Sequence, residues 1–511
     1  MATSTNQPAA MPDHRVTGLF ILGTAFRILS WFFSKNNGGD ALERAALAAH
    51  WLQHPTFRFI FGVYPPGHFW LIGALALLIP DVTVASRLLS LLLGIASLFF
   101  VWKLSRSLYG DAAGMLSLAV FALYGLHIGY STTSSSEVPY LFFVLVALYF
   151  FFLSFQEGWR RLWYLGISGI ALSIAGSIRF EAWIVFGALF LVFPMLWKWE
   201  RVSSGRMRLA LAPLLLFGAT GGAWPIVMMS YCWRVYRDPL YLLSSTHARM
   251  TQVLAASGNS LGYELALIPG VLLVALSPTA FAAAIYGIAR SRHSPLQAAF
   301  AGVTLFFLAV QTLEIFRGGT LAVARYSLTP GAMLAVISGD GLQRIGERIL
   351  PGRVRLAHAV IVVMLLLNLG LILAISEAPN RASDKFAAIS PLLTYPTRIR
   401  GVGEYLRGQM GPQDTLVIDD YNVESNVIAN AAGMPLLAGE RTYLASSKND
   451  IDVREYIARE HPRFLVYSDL GTLRNSFTLP RDCKQAGNVD GIEFRCTYVN
   501  QFYRVYELSY P

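Results

Sequence analysis

The stretch PGHFWLIGALALLIP (66–80) decides how many times this chain crosses a membrane. It is apolar throughout, yet its bounding prolines leave about 15 residues, short of the roughly 20 that a helix needs to span a bilayer core. Such a segment can span, re-enter or lie flat at the interface. The basic residues choose between these. With a cytoplasmic N-terminus and 66–80 not spanning, Lys103/Arg106, Arg160/Arg161, Lys198/Arg201/Arg206/Arg208, Arg290/Arg292 and Arg344/Arg348/Arg353/Arg355 all fall on the inner side. Counting it as a span places the first of these clusters outside. The segment is therefore read as an interfacial helix in a first external loop, 34–85.

Around it lie apolar runs at 16–33, 86–103, 112–130, 137–155, 162–178, 182–197, 209–231, 264–289, 296–315, 326–342 and 356–376. They predict a multi-span α-helical membrane protein with about eleven transmembrane helices in a domain over 1–376. The first run follows a polar segment and has no small-residue cleavage site before Lys35, so it reads as an uncleaved anchor. A linker over 377–394 leads to a tail, 395–511, of different composition. There TLVID (415–419), helical stretches at 424–432 and 451–461, RFLVYS (463–468), IEFRCTYV (492–499) and FYRVYEL (502–508) alternate strand and helix signals. They predict a small external α/β domain.

Composition agrees with a life in lipid. The 511 residues are 54% hydrophobic and only 14% charged, with a mean hydropathy of +0.48, whereas soluble domains carry about 25% charged residues. A disordered chain, a fibrous repeat and a small disulfide scaffold are excluded. The net charge of +10 would suggest nucleic acid in a soluble protein. From Glu377 onward, however, 15 Lys+Arg stand against 17 Asp+Glu, so the tail carries −2 and the apolar part +12. The excess is an orientation signal, and no nucleic-acid partner is expected.

Three cysteines are too few for a framework. Cys483 and Cys496 flank a Gly-containing turn in the external tail, where a disulfide could close the short loop. Cys232 reads as a small apolar residue. The chain has no Asn-x-Ser/Thr acceptor, which favours a bacterial plasma (inner) membrane over an endoplasmic reticulum.

Four positions could carry chemistry. Asp40 is the first carboxylate beyond the first span. With Glu43 it makes an Asp-x-x-Glu capping box for a helix running to about Gln53, and a carboxylate so placed is also rigid and ionised, as a general base must be. Glu137 enters the fourth span after a run of hydroxyls, with Ser134 or Ser136 as the N-cap. Charges at a membrane edge are commonly functional or paired. Arg179 sits beside Glu181 between spans five and six, and Arg317 and Arg325 flank spans nine and ten. Arg325 could fork around a phosphate or merely snorkel. His50 and His54 have a metal-compatible spacing but no third ligand. There is no P-loop, dinucleotide fingerprint or Gly-x-Ser-x-Gly elbow.

Taken in order, GGDALERA (38–45), YPPGHFWLIGALALL (64–78), ASRLLSLLLGIASLFFVWKLSRSLYG (85–110), SSSEVPYLFFVLVALYFF (134–151) and ARYSLTPGAMLAV (324–336) resemble the GT-C superfamily of integral-membrane glycosyltransferases. The resemblance implies transfer of a sugar, usually with inversion, from a polyprenyl-phosphate-linked donor to a glycan, lipid or protein acceptor at the external face. By carry-over Asp40 is the general base and Glu137 the second acidic residue, where many relatives have Asp. Arg325, with Arg179 and His68, would hold the donor phosphate. A divalent metal, if one is held, falls to Asp40 and Glu137. The chain departs from the pattern in lacking an acidic residue directly after Asp40. The competing readings are a polytopic lipid or solute transporter or flippase, and a nonenzymatic assembly subunit. The absence of an internal repeat and the gathering of polar groups at one membrane edge weigh against a transporter.

Overall fold

The computed structural model describes residues 14–35, 39–56, 64–156, 160–204, 211–257, 260–320, 322–376, 388–393, 397–411, 413–419, 425–434, 442–445, 452–468, 471, 473–480, 483 and 485–511. Most of the expected linker, 377–387 and 394, lies outside them. Among the described residues eight helices are long and apolar enough to cross a membrane. They are α1 (His14–Phe33), α4 (Val82–Tyr109), α7 (Glu137–Ser154), α8 (Arg161–Ile178), α9 (Glu181–Ser204), α10 (Leu211–Tyr236), α14 (Pro295–Phe316) and α16 (Val354–Ser376).

The other three expected runs are helical but interrupted. The run at 264–289 forms α12 (Leu261–Ala275) and α13 (Pro278–Arg290), which meet at 108° and make a ninth span if the pair crosses as one. At the corner Ser277 has a positive φ of 79°, its hydroxyl caps Ala280 N–H at 3.2 Å, and Pro278 starts the new helix. The run at 112–130 breaks into α5 (Asp111–Ala122) and α6 (Gly125–Tyr130). Arg27 of α1, fully buried, holds that break: its guanidinium donates to the carbonyls of Phe121 (3.2 Å) and Ala122 (3.4 Å) and to His127 Nδ1 (2.9 Å). A side chain thus satisfies carbonyls that a helix end leaves open. The last run starts as a 3-10 turn, Ala324–Ser327, and continues as α15 (Leu328–Ile349), which is buried along most of its length and carries Asp340 and Arg344 as an ion pair at 2.9 Å. Its Gly-Asp-Gly lets backbones touch: a Cβ on Gly339 would strike the Ala113 carbonyl of α5, and one on Gly341 that of Ala283 in α13.

Segment 66–80 gives α3 (Gly67–Ala76), only ten residues long, or about 15 Å at 1.5 Å per residue. It packs against α2 (Gly39–Gln53), where Ala48, Phe69 and Ile72 form a small core.

In the tail, β1 (Leu416–Asp419), β2 (Thr442–Ala445), β3 (Phe464–Ser468), β4 (Gly487–Val489), β5 (Ile492–Val499) and β6 (Tyr503–Ser509) make one sheet in the order β2-β1-β3-β6-β5-β4. β1 runs parallel to β2 and β3, and the remaining pairs are antiparallel. Strand alternation feeds two apolar layers. Leu416, Ile418, Val466 and Val505 meet Val402 and Leu406 of α17 (Thr397–Gln409) and Ile428 of α18 (Ser425–Ala431). On the other face Val417, Leu465, Phe494 and Tyr506 meet Ile457 of α19 (Val453–Glu460). Cys483 and Cys496 are joined by a disulfide, and Cys232 is free and buried.

Candidate active site

Four segments bring charged side chains to one place. Asp40 lies in the first turn of α2, Glu137 opens α7, Arg179 ends α8 in extended backbone, and Arg325 sits in the 3-10 turn before α15. Arg325 Nη2 pairs with Asp40 Oδ2 across 285 positions of sequence. Its Nε faces Glu137 Oε1 at 3.4 Å. Arg179 donates to the same Glu137 oxygen at 2.7 Å, to Ser136 Oγ at 3.2 Å, and to Glu181 at 2.5 and 3.1 Å. The two guanidiniums flank Tyr326, at 5.4 and 5.6 Å from its ring centre. Arg317, by contrast, caps α14 on the exposed surface away from this centre.

Asp40 and Glu43, expected as a capping box, share a hydroxyl: Tyr64 donates to Asp40 Oδ1 (3.0 Å) and Glu43 Oε2 (2.7 Å). Ser136 precedes α7 but makes no side-chain cap, because its hydroxyl accepts from Arg179, while Ser134 Oγ bonds Ser86 Oγ at 2.5 Å. At Ser136 a long-range charged partner outcompetes a local neutral bond, as expected when charge-assisted bonds are the stronger.

Four further positions, which the local sequence pattern does not mark, complete the centre. Arg44, one turn after Asp40 on the same helix face, is 6% exposed, stacks 4.4 Å over the Tyr64 ring and has no partner for Nη1 among the described residues. Its i+4 spacing from Asp40 was the available signal. Glu264 and Gln311 hold the 3-10 turn: Glu264 accepts from Ala322 N–H at 2.8 Å, and Gln311 donates to the Tyr326 carbonyl at 2.9 Å. Tyr124 donates to the Ser327 carbonyl at 3.0 Å. His68 on α3 is fully buried, and neither ring nitrogen has a partner among the described residues. Burial, then the nearby Arg44 and Arg179 charges, hold its imidazole neutral.

Burial alone would push the Asp40 carboxyl up. The Arg325 and Arg44 charges and the hydrogen bonds from Arg325 and Tyr64 outweigh it and hold Asp40 well below the usual carboxylate range. Tyr64 moves the other way, raised by burial and by the Asp40 and Glu43 charges, so it keeps its proton and donates it.

The donor set does not fit a divalent cation. Both Asp40 oxygens and Glu137 Oε1 already accept from Tyr64 or arginine, whereas such a cation seeks several free oxygens. Among the described residues no three His, Cys, Asp or Glu converge on a common point, and His50 and His54 are exposed, ring to ring at 5.4 Å. Beside the arginines lies a cleft whose lining includes Glu137, Arg179, Glu181, Arg325, Tyr140 and Gln311.

A helical membrane domain followed by a small sheet domain is the fold of the solved GT-C integral-membrane glycosyltransferases. The chain has that fold. Residues 63–224 match the family model described as dolichyl-phosphate-mannose-protein mannosyltransferase, a span that contains His68, Glu137 and Arg179. ArnT from Cupriavidus metallidurans, solved bound to undecaprenyl phosphate, is similar over 96% of this chain and 98% of its own, with a TM-score of 0.57 and 14% identity. AglB, the Archaeoglobus fulgidus oligosaccharyltransferase, solved with an inhibitory peptide and a dolichol-phosphate, matches 89% of this chain and 69% of its own, with a TM-score of 0.50 and 12% identity. No curated protein matches the chain in sequence.

Proposed function

We propose that this protein transfers a sugar from a polyprenyl-phosphate carrier to an acceptor at the extracytoplasmic face of a bacterial plasma membrane, with inversion at the anomeric carbon. The observation that carries the reading is the meeting of Asp40, Glu137, Arg179 and Arg325, from distant parts of the chain, beside buried N–H groups of Arg44 and His68 that have no partner among the described residues. Unsatisfied buried donors call for an explanation, and an anionic phosphate supplies acceptors for them.

In this reading the donor phosphate competes with Asp40 for Arg325. Once Arg325 turns to the phosphate, Asp40 loses its strongest cationic neighbour and regains basicity. It then takes the proton of the acceptor hydroxyl or amine as that atom attacks the anomeric carbon. The bond from the anomeric carbon to the phosphate oxygen breaks, and polyprenyl phosphate leaves with its charge held by Arg325 and Arg179. Glu137 keeps both guanidiniums oriented. A phosphate leaving group needs charge stabilisation more than a proton, and fixed guanidiniums provide it. The topology belongs to the same proposal: eleven crossings, the N-terminus cytoplasmic, and the α/β domain on the side of Asp40.

Purified protein given polyprenyl-phosphate sugars, polyprenyl-phosphate mannose first, and a cell-envelope acceptor fraction should form a glycosylated product. Absence of product across mannosyl, glucosyl, galactosyl and arabinosyl donors would end the proposal.

A further inference from the structure

Asp40 and Leu42 are two residues apart on α2, so at 3.6 residues per turn they point to nearly opposite sides of the helix. Asp40 meets Arg325. Leu42 is fully buried in the apolar layer of the α/β domain, with Val402, Leu406, Ile418, Val427 and Ile428, and is the one residue from outside that domain among its described buried members. Just ahead of α2 the chain is tied to the linker. Lys35 N–H, two residues past the end of α1, donates to the Leu393 carbonyl at 2.7 Å. The segment bearing Leu393 is itself anchored on the membrane domain, where Ser390 Oγ bonds Ser376 Oγ at 2.9 Å and the Ser390 carbonyl fills the space in which a Cβ on Gly129 of α6 would sit.

Building on the function proposed above, we infer that the α/β domain fixes the catalytic carboxylate through Leu42, a positioning residue that sets the rotation and height of α2 relative to Arg325. An isolated helix of this length is marginal, so its order depends on what it packs against. α3 holds one flank through Ala48. The face opposite Asp40 belongs to the domain. The sheet is therefore a structural half of the active centre, and its attachment controls where the acceptor proton is received.

The test uses the full chain in lipid nanodiscs. Leu42→Ala and Ile428→Ala, the latter on α18 and outside the active centre, are compared with wild type by hydrogen exchange of the α2 amides and by turnover of polyprenyl-phosphate mannose. Both variants should speed α2 exchange about tenfold while leaving α4 and α7 unchanged. Leu42→Ala should lower kcat about tenfold with the KM for donor unaltered, and the volume-conserving Leu42→Met should restore it. Wild-type exchange of α2 in both alanine variants overturns the inference, as does a kcat unchanged in Leu42→Ala. If wild type does not turn over this donor, exchange alone decides. An Asp40→Asn variant with full activity would end the general-base reading while leaving the exchange result to judge the coupling of domain and helix.

Discussion

Replacing Asp40 by Asn should separate binding from chemistry in opposite directions. The amide still accepts from Tyr64, whose bond to Oδ1 is 3.0 Å, so α2 keeps its place. What disappears is the negative charge on Arg325 and the proton acceptor. Loss of a general base typically costs a factor of about 10²–10⁴, or roughly 3–5 kcal/mol of transition-state stabilisation. Arg325, released from a competing ion pair, should bind the lipid phosphate more tightly. Both side chains of that pair keep about a quarter of their surface exposed, at 25% and 28%, so solvent screening limits the gain to about 1 kcal/mol, near fivefold. The assays are single turnover with radiolabelled polyprenyl-phosphate sugar and titration of the purified variant with undecaprenyl phosphate in nanodiscs. Retained turnover would remove Asp40 as base. Turnover lost together with weakened phosphate binding would refute the competition argument, since it would mean that Asp40 serves to hold Arg325 in place.

Other outcomes follow from the same geometry. Because Asp40 is held well below the usual carboxylate range, it stays ionised on acidification, and kcat/KM should show no acid limb from this group above about pH 4; Arg44→Gln, which removes one of the two cations responsible, should move that limb upward. The sign for stability is the same: the depressed folded value stabilises the fold above the ordinary Asp value of about 3.9 and is lost as pH falls through the folded one. Arg27→Leu removes the guanidinium's bonds to the Phe121 and Ala122 carbonyls and to His127 Nδ1 in a buried place, and should destabilise the membrane domain by about 2–5 kcal/mol, read as a lower unfolding temperature in detergent; an unchanged temperature would show that the break between α5 and α6 needs no such support. A reporter fused after Ser376 should be active only outside the cell, and cytoplasmic activity there would overturn the eleven-span arrangement.

Much of the fold is legible in local pattern. Runs of apolar residues give the helices, alternation at 416–419, 464–468 and 503–509 gives the strands, and the prolines at 66 and 80 give a helix too short to span. What the sequence does not carry is decided by partners far along the chain. The interruption after Ala122 rests on Arg27, 94 and 95 residues earlier than the carbonyls it meets, and the run itself reads as continuous. At Asp40 and Ser136 the sequence points to caps, because a cap is the nearest use for such a residue. Their actual partners, Tyr64, Arg325 and Arg179, are long-range and charged or phenolic. The order β2-β1-β3-β6-β5-β4 is equally a matter of long-range pairing.

The seat of Leu42 also sets an order of events during synthesis. Leu42 leaves the ribosome hundreds of residues ahead of Ile428, Val466 and Val505, which share its apolar layer. At about 5–20 residues per second that wait is roughly 20 to 90 seconds. Throughout it the bundle can insert and pack, but the helix bearing Asp40 has no far wall to lean on. A nascent or prematurely stopped chain is thus threaded into the membrane with its acid unplaced, and competence arrives only when the sheet closes over α2.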